Sequence, residues 1–208
     1  MNESTANGTN ERNIPAVNDD ALAALFTSAR TARTFLAEPA PTEAVRRAYE
    51  NARWAPTAFN SQPLRLDLLA SPQSRQRLVP HMMETNRETV AGAPLTLITS
   101  AETAPGQSMR TLGAPERVLD IVSSSPDAGA GLARDSALIQ LGYLVVALRA
   151  EGLDVGVMTG ADMSGVDDEF HRDSSWRTIA IVNVGHAAAD AYRPRSGRHE
   201  FDAVSRVL

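Results

Sequence analysis

Apolar positions first take up a helical rhythm at Leu22, Leu25 and Phe26, which share one face of a helix that Asp19 or Asp20 would cap. A loop, SARTARTFLAEPAP, separates it from TEAVRRAYENARW, an amphipathic helix with Thr42 as the expected cap. Its fourth position is not Glu, so the capping box is incomplete. WAPTAFNSQPLRL then breaks the rhythm. Pro56 and Pro63 bracket small and amide side chains that suit neither helix nor strand, which predicts a stiff loop. LRLDLLA predicts a strand. SPQSRQRLVPHM predicts a short helix stopped by Pro80, ETNRETVAGA another ended by Gly92, and PLTLITSA a second strand.

Residues 102–131 are rich in Gly, Pro, Ser and Ala, and only PERVLDIVSS has helical spacing. A weakly patterned insert of this length reads as a lid, a substrate cover or a dimer arm. DSALIQLGYLVVALRAEG is the longest and most apolar helix, expected to be buried on most sides and ended by Gly152. LDVGVMTGAD predicts a strand and a turn, MSGVDDEFH a helix, and WRTIAIVNVGH the best strand. The tail AYRPRSGRHEFDAVSRVL runs as a loop and then a short helix. Residues 1–18 are polar and read as a disordered tail, which leaves 19–208 as a single domain. Helices and strands mix without regular βαβ alternation, so the expected class is α+β, a sheet flanked by helices.

Net charge is −5 over 208 residues, which argues against nucleic acid or an anionic membrane as partner. The sequence shows no apolar run of the length a membrane span requires and no basic, apolar signal at its start; a cytoplasmic setting is the expectation. Cysteine is absent, which excludes disulfides, thiolate nucleophiles and cysteine metal sites. His81, His171, His186 and His199 are dispersed with no metal-ligand spacing, and His186 reads as a strand-end residue without chemistry. Asp67, Asp154 and Asp162 show no acid–base pairing in the sequence. The motifs GxSxG, GxGxxG and GxxxxGK do not occur.

Two arginine clusters in loops remain. Arg30-Thr31-Ala32-Arg33 lies near the start of the chain and Arg193-Pro194-Arg195-Ser196-Gly197-Arg198 near its end. Guanidinium forks and a hydroxyl can hold a phosphate monoester, although a loop arginine is more commonly just solvated. Asn60 and Gln62 each offer donors and an acceptor, as the edge of a flat heterocycle requires. An amide-rich turn that satisfies its own backbone has the same composition.

Taken in order, these pieces resemble the FMN-dependent nitroreductase family. The resemblance rests on Arg30-Thr31-Ala32-Arg33, on Pro56-Thr57-Ala58-Phe59-Asn60-Ser61-Gln62-Pro63, on Glu151-Gly152-Leu153, on Asn183-Val184-Gly185 and on Pro194-Arg195-Ser196-Gly197-Arg198. It spans residues 20–208. Within the family, ARTARTF, RWAPTAFNSQPLRL, NRETVAGAP and GLDVGVMTGAD are most similar to the malonic semialdehyde reductase branch.

The resemblance implies a nitroreductase-like α+β fold with a mixed or antiparallel central sheet, in an intertwined homodimer with FMN at the subunit interface. Arg30, Thr31, Arg33, Arg195 and Arg198 would hold the FMN phosphate. Pro56, Thr57, Ala58, Asn60 and Gln62 would serve the flavin of the other subunit, and Asn86, Thr159 and Gly160 would contact the ring or its ribityl chain. Thr89 stands where many members have a Lys, Leu64 where many have Trp, and Ser61 where the preferred branch often has Cys. The implied reaction is ping-pong hydride transfer from NADH or NADPH through FMN to a small carbonyl compound, as in malonic semialdehyde to 3-hydroxypropionate, or to a nitro compound. No side chain is assigned as the acid, with Thr159 a candidate helper. Arg65 is a candidate for a substrate carboxylate or else a paired strand-start residue, and Arg110 and Arg117 are further candidates to meet the acceptor. Two other readings stay open: a flavin-dependent dehydrogenase or oxidase tailoring a larger metabolite, and a non-catalytic binding protein of the same fold.

Overall fold

A four-stranded antiparallel sheet with helices on both faces organises the chain in a computed structural model, which describes residues 15–208. The tail expected at residues 1–18 lies, as far as residue 14, outside the described residues. In chain order come Asp19–Leu22 (α1), with a π-helical turn at Ala23–Thr27, and Thr42–Ala52 (α2). The strand Leu64–Leu69 (β1) precedes Pro72–Leu78 (α3), Glu84–Gly92 (α4) and the strand Leu95–Glu102 (β2). Gly106–Thr111 (α5), Glu116–Ser123 (α6) and Pro126–Ala150 (α7) follow, then the strand Asp154–Met158 (β3). Met163–Phe170 (α8), the strand Trp176–Gly185 (β4) and Phe201–Val204 (α9) complete the order.

The strands lie in the order β1-β2-β4-β3, with every neighbouring pair antiparallel. The two faces of the sheet bury different helices. Leu95, Leu97, Val182 and Val184 pack with Val45, Ala48 and Ala52 of α2 and with Leu141, Leu144 and Leu148 of α7. Ile98 and Ile181 turn the other way, toward Leu78 of α3, Val90 of α4 and Val166 of α8. Both faces being covered, β2 and β4 are buried along nearly their whole length, with Thr96, Thr99 and Ser100 of β2 buried among the apolar residues. Apolar area removed from water contributes about 25 cal/mol per Å2, so these two clusters supply most of the driving force.

Local rules place several boundaries. Ser71 caps α3 through a reciprocal bond with Ser74, and Pro72 occupies the first turn, where its missing N–H costs nothing. Gly152 ends α7 at φ 79°, and Leu153 N–H donates to the Leu148 carbonyl at 3.1 Å, a left-handed helix stop that glycine makes without strain.

Several sequence expectations are corrected. Asn18, not Asp19 or Asp20, caps α1, accepting from Ala21 N–H, and the two aspartates fall in the first turn, where the helix dipole favours them. Thr42 is the first residue of α2 rather than its cap; Pro41 holds the cap position and makes no side-chain cap bond. Residues 102–131 are largely helical: α5 and α6 share a small core of Met109, Leu119 and Val122, and α7 starts at Pro126 rather than Asp135. Within the DAGAG stretch Gly129 packs closely on α6: a Cβ there would lie 2.7 Å from the Val122 carbonyl oxygen. Gly129–Ala150 has the length and hydropathy of a membrane span, contrary to the reading of no such run, but its inner side packs on α2 and the sheet.

Candidate functional site

The two arginine clusters, at opposite ends of the chain, meet at one place. The backbone of residues 31–36 is strapped between β3 and the segment after β4. Ala32 N–H donates to the Val155 carbonyl at 3.1 Å, Arg33 N–H to Ala191 at 3.0 Å, and Leu36 N–H to His186 at 2.8 Å. Gly156 permits this approach, since a Cβ there would lie 2.5 Å from the Ala32 carbonyl oxygen. Side chains continue the strap. Arg195 Nη2 donates to the Ala29 carbonyl at 3.0 Å, Arg30 Nη2 to the Arg193 carbonyl, and Thr34 Oγ1 to Asp190 at 2.7 Å. Tyr192 fixes the corner. Its hydroxyl donates to Asp154 at 2.5 Å, and its ring lies under the Arg30 guanidinium, 5.0 Å from the centroid. Burial and the Asp154 carboxylate push the Tyr192 pKa up to about 12, so the phenol stays a donor.

The result is a cavity of about 430 Å3 lined by Arg30, Arg33, Arg149, Arg193, Arg195 and Arg198, with the Thr31 hydroxyl among them and no carboxylate. Four of the five residues in the phosphate set expected from the resemblance are among these arginines, and Thr31 completes it. Arg149 is the member that sequence reasoning missed. It sits in the last turn of α7, half-buried, and donates to the Leu25 carbonyl at 3.0 Å; desolvation pulls its pKa below the ordinary arginine value. Its signal was available, since Arg149 is the only charged side chain between Asp135 and Glu151 in the most apolar helix.

The cavity runs on past Arg33. A neighbouring space of about 200 Å3 is bordered by Thr31, Arg33, Asn86, Thr89, Thr159 and Gly160, so Asn86 and the Thr159–Gly160 turn join the same groove. Asn86 Nδ2 donates to the Gly160 carbonyl at 3.1 Å, and Met83 N–H donates to the same oxygen at 3.0 Å. A Cβ on Gly160 would lie 2.8 Å from Asn86 Nδ2 and 2.9 Å from Met83 Sδ, so a larger residue there would push these two side chains aside. A third space of about 230 Å3, bordered by Arg33, Phe35, Glu88 and Thr89, extends the groove again. Arg33 and Thr89 both border these two spaces.

The loop containing Pro56, Thr57, Ala58, Asn60 and Gln62 does not line this groove. It is anchored on α7 instead: Ser136 Oγ accepts from Ala58 N–H at 3.2 Å, and buried Gln140 accepts from Leu64 N–H at 3.0 Å. Pro56, Ala58, Phe59 and Asn60 are exposed. Phe59 and Asn60 both have φ of 54° and Gln62 has 41°, a left-handed run that non-glycine residues adopt at a cost of about 1–3 kcal/mol each. The Asn60 and Gln62 amides bond each other at 3.0 Å.

The three weaker candidates lie elsewhere. Arg65 is a strut: it donates to the Gln62 and Leu64 carbonyls, both at 2.9 Å, to Ser108 at 2.9 Å, and to Glu102, leaving no free fork. Arg110 pairs with Glu116 on the surface at 3.0 Å, and Arg117 is exposed beside it. Two of the histidines have carboxylate partners, of which only Asp167, one helical turn before His171, lies at a spacing the sequence shows. Buried His171 sits between Asp67 at 2.8 Å and Asp167 at 3.1 Å, and Thr178 Oγ1 donates to Asp167 at 2.7 Å. His186 bonds Glu38 at 2.8 Å. No cluster of metal ligands occurs among the described residues.

Comparisons with known proteins converge. The family model described as the nitroreductase family matches residues 27–186. A Streptomyces coelicolor protein named as an NADH dehydrogenase/NAD(P)H nitroreductase is 41% identical over 181 residues, covering 86% of this chain and 92% of its own. A Leptothrix cholodnii protein of the same name is 37% identical over 193 residues, covering 90% of this chain and 96% of its own. Among solved structures, a nitroreductase in complex with FMN from Exiguobacterium sibiricum has a TM-score of 0.78 at 16% identity, covering 94% of this chain and all of that one. A nitroreductase family protein from Streptococcus pneumoniae has a TM-score of 0.76 at 22% identity, covering 88% and 98%. At those identities the structural likeness concerns the fold.

Proposed function

The chain belongs to the nitroreductase family, and on that premise we propose that it is an FMN-dependent NAD(P)H oxidoreductase that reduces a small carbonyl compound, of the malonic semialdehyde to 3-hydroxypropionate type, or a nitro compound. The observation that carries the reading is the carboxylate-free arginine cavity closed by both ends of the chain and continuous with the Asn86–Gly160 groove. The residues present fit the cofactor. Guanidinium forks and the Thr31 hydroxyl are a donor set for a phosphate monoester.

Arg30, Arg33, Arg195 and Arg198 would hold the FMN phosphate with Thr31, while Asn86 and the Thr159–Gly160 backbone would hold the ring's polar edge. When bound, FMN supplies the hydride relay of the reaction, taking two electrons from the nicotinamide and giving them to the acceptor. The chain's own work in this reading is binding and orientation. Thr159, exposed just after β3, would be a candidate helper in passing a proton to a reduced carbonyl oxygen, which solvent could also supply.

A homodimer belongs to the same proposal. α7 exposes Leu138, Ile139 and Tyr143 beside exposed Phe26, along an apolar groove of about 660 Å3. The last segment is exposed throughout, including Phe201, Val204, Val207 and Leu208. Both features support burial against a second copy, whose strained 56–62 loop would then reach the groove it does not reach within its own chain. A cytoplasmic setting, with its NAD(P)H, is part of this reading.

The test is spectroscopic. Purified protein should carry flavin absorbance at one FMN per chain, and NADH or NADPH should bleach it without oxygen. Malonic semialdehyde, simple aldehydes and nitroaromatics should then restore the colour to different degrees. Protein that stays colourless after incubation with FMN would end the proposal.

A further inference from the structure

The arginine cavity brings together more charge than one cofactor phosphate can answer. Six arginines are among the residues that line it and no carboxylate residue is. Among the described residues none of the six is in an ion pair, whereas Arg46, Arg47, Arg53, Arg65, Arg77 and Arg110 each hold a carboxylate. The chain contains no lysine, so every one of these cations is a planar fork that stays charged across the working pH range. A phosphate monoester carries about −1.5 to −2 at neutral pH. One such group leaves an excess of positive charge concentrated in a single cavity, which is unfavourable until further anions arrive.

The six are not equivalent in placement. Arg149 is half-buried and tied to the Leu25 carbonyl, Arg30 to the Arg193 carbonyl and the Tyr192 ring, and Arg195 to the Ala29 carbonyl. These form the fixed floor. Arg193 lies in the exposed tail, and its guanidinium has no hydrogen bond, ion pair or ring contact among the described residues. Only its backbone carbonyl is used, by Arg30. A free fork beside the proposed phosphate cradle, on the solvent side, is the equipment for a second phosphate carried by something that comes and goes.

We propose that Arg193 is the centre of a second phosphate subsite, which takes the 2′-phosphate of the hydride donor and so makes this protein prefer NADPH to NADH. The inference rests on the FMN reading above, since the second subsite is defined beside the first. Of the two nicotinamide donors only NADPH adds a phosphomonoester, the dianion that the excess charge calls for. The bidentate geometry of a guanidinium on phosphate distinguishes it from the 2′-hydroxyl of NADH.

The experiment compares wild type and Arg193→Ala, both loaded with FMN and both assayed for flavin content. Wild type should use NADPH with a kcat/KM roughly tenfold or more above that for NADH, the span expected of a hydrogen bond to a charged group. Arg193→Ala should lose roughly ten- to a hundredfold with NADPH, keep its NADH value, and keep one FMN per chain. Arg193→Lys should recover only part of the NADPH value. In wild type, 2′,5′-ADP should compete with NADPH far better than 5′-AMP or inorganic phosphate. Equal use of both donors by wild type would overturn the proposal, as would an equal loss with both in the variant. Inorganic phosphate matching 2′,5′-ADP would mean that the subsite reads any free phosphate and would overturn the donor assignment. Loss of FMN from Arg193→Ala would assign this arginine to the cofactor phosphate and overturn the inference while leaving the FMN reading intact. Wild type that never holds FMN would sink that underlying reading instead.

Discussion

Arg195 donates to the carbonyl of Ala29 at 3.0 Å, joining two residues 166 positions apart in the chain. That bond and its counterpart from Arg30 to Arg193 close the cavity on which the proposed cofactor site depends. Arg30→Ala combined with Arg195→Ala removes two phosphate forks and both closures. The expected result is at least a hundredfold weaker FMN binding, equivalent to about 3 kcal/mol, with helical content unchanged in circular dichroism. Unaltered flavin stoichiometry in the double variant would refute the phosphate assignment.

Gly160→Ala should act through Asn86. The new methyl would press on Asn86 Nδ2 and Met83 Sδ, at 2.8 and 2.9 Å, and displace the amide from the groove. FMN affinity and turnover should fall together, by about tenfold or more, the scale of one hydrogen bond to a well-placed partner. Thermal denaturation of the flavin-free form should change much less. A variant with full flavin affinity would show that the turn does not face the cofactor.

Arg65 separates two roles by readout. As a strut it ties the 56–63 loop to Glu102 and Ser108, so Glu102→Gln should lower stability by about 1–3 kcal/mol and speed proteolysis within the loop. As the cation for a substrate carboxylate, Arg65→Ala would instead raise KM for malonic semialdehyde and spare KM for neutral aldehydes. The bonds observed predict the first pattern; an unchanged melting temperature with a selective KM effect would reverse that view.

His171 should make stability depend on pH. Burial lowers its pKa, but hydrogen bonds to the Asp67 and Asp167 carboxylates outweigh that and leave it raised. A histidine with a raised folded-state pKa contributes stability that is full below its unfolded value, about 6.5. That contribution is lost as pH rises through the folded value. The melting temperature should therefore decline on going upward from about pH 6.5, and His171→Gln should flatten that decline. Parallel curves for both proteins would exclude His171 as the titrating group.

The apolar groove along α7 makes a prediction about assembly. Ile139→Glu with Tyr143→Glu places two charges on exposed apolar positions of a helix whose other side is core. Light scattering should show dimers for wild type and monomers for the variant, and flavin should be released with dissociation. Wild type that is monomeric and still yellow would contradict the shared-site proposal.

Much of this architecture is legible locally. The apolar spacing of α2, the two-sided runs of β2 and β4, the Gly152 stop and the loop bounded by Pro56 and Pro63 all follow from preferences within a few residues. The arginine and amide motifs are likewise visible in the sequence, as residue types. What they do is decided by contacts between distant segments. Arg149 joins the phosphate cavity because α7 ends beneath Ala29 and Arg30, and Arg65 is turned into a strut by Glu102 across the sheet edge. His171 gains Asp67 of β1, which no periodicity brings near it, beside Asp167 one helical turn earlier, and Gly129 near the start of α7 allows α6 to approach. Backbone propensity acts over neighbours, whereas pairing of charges and close packing act through space; the chain therefore declares its elements and its chemistry one residue at a time, and only the folded molecule settles which of those residues meet.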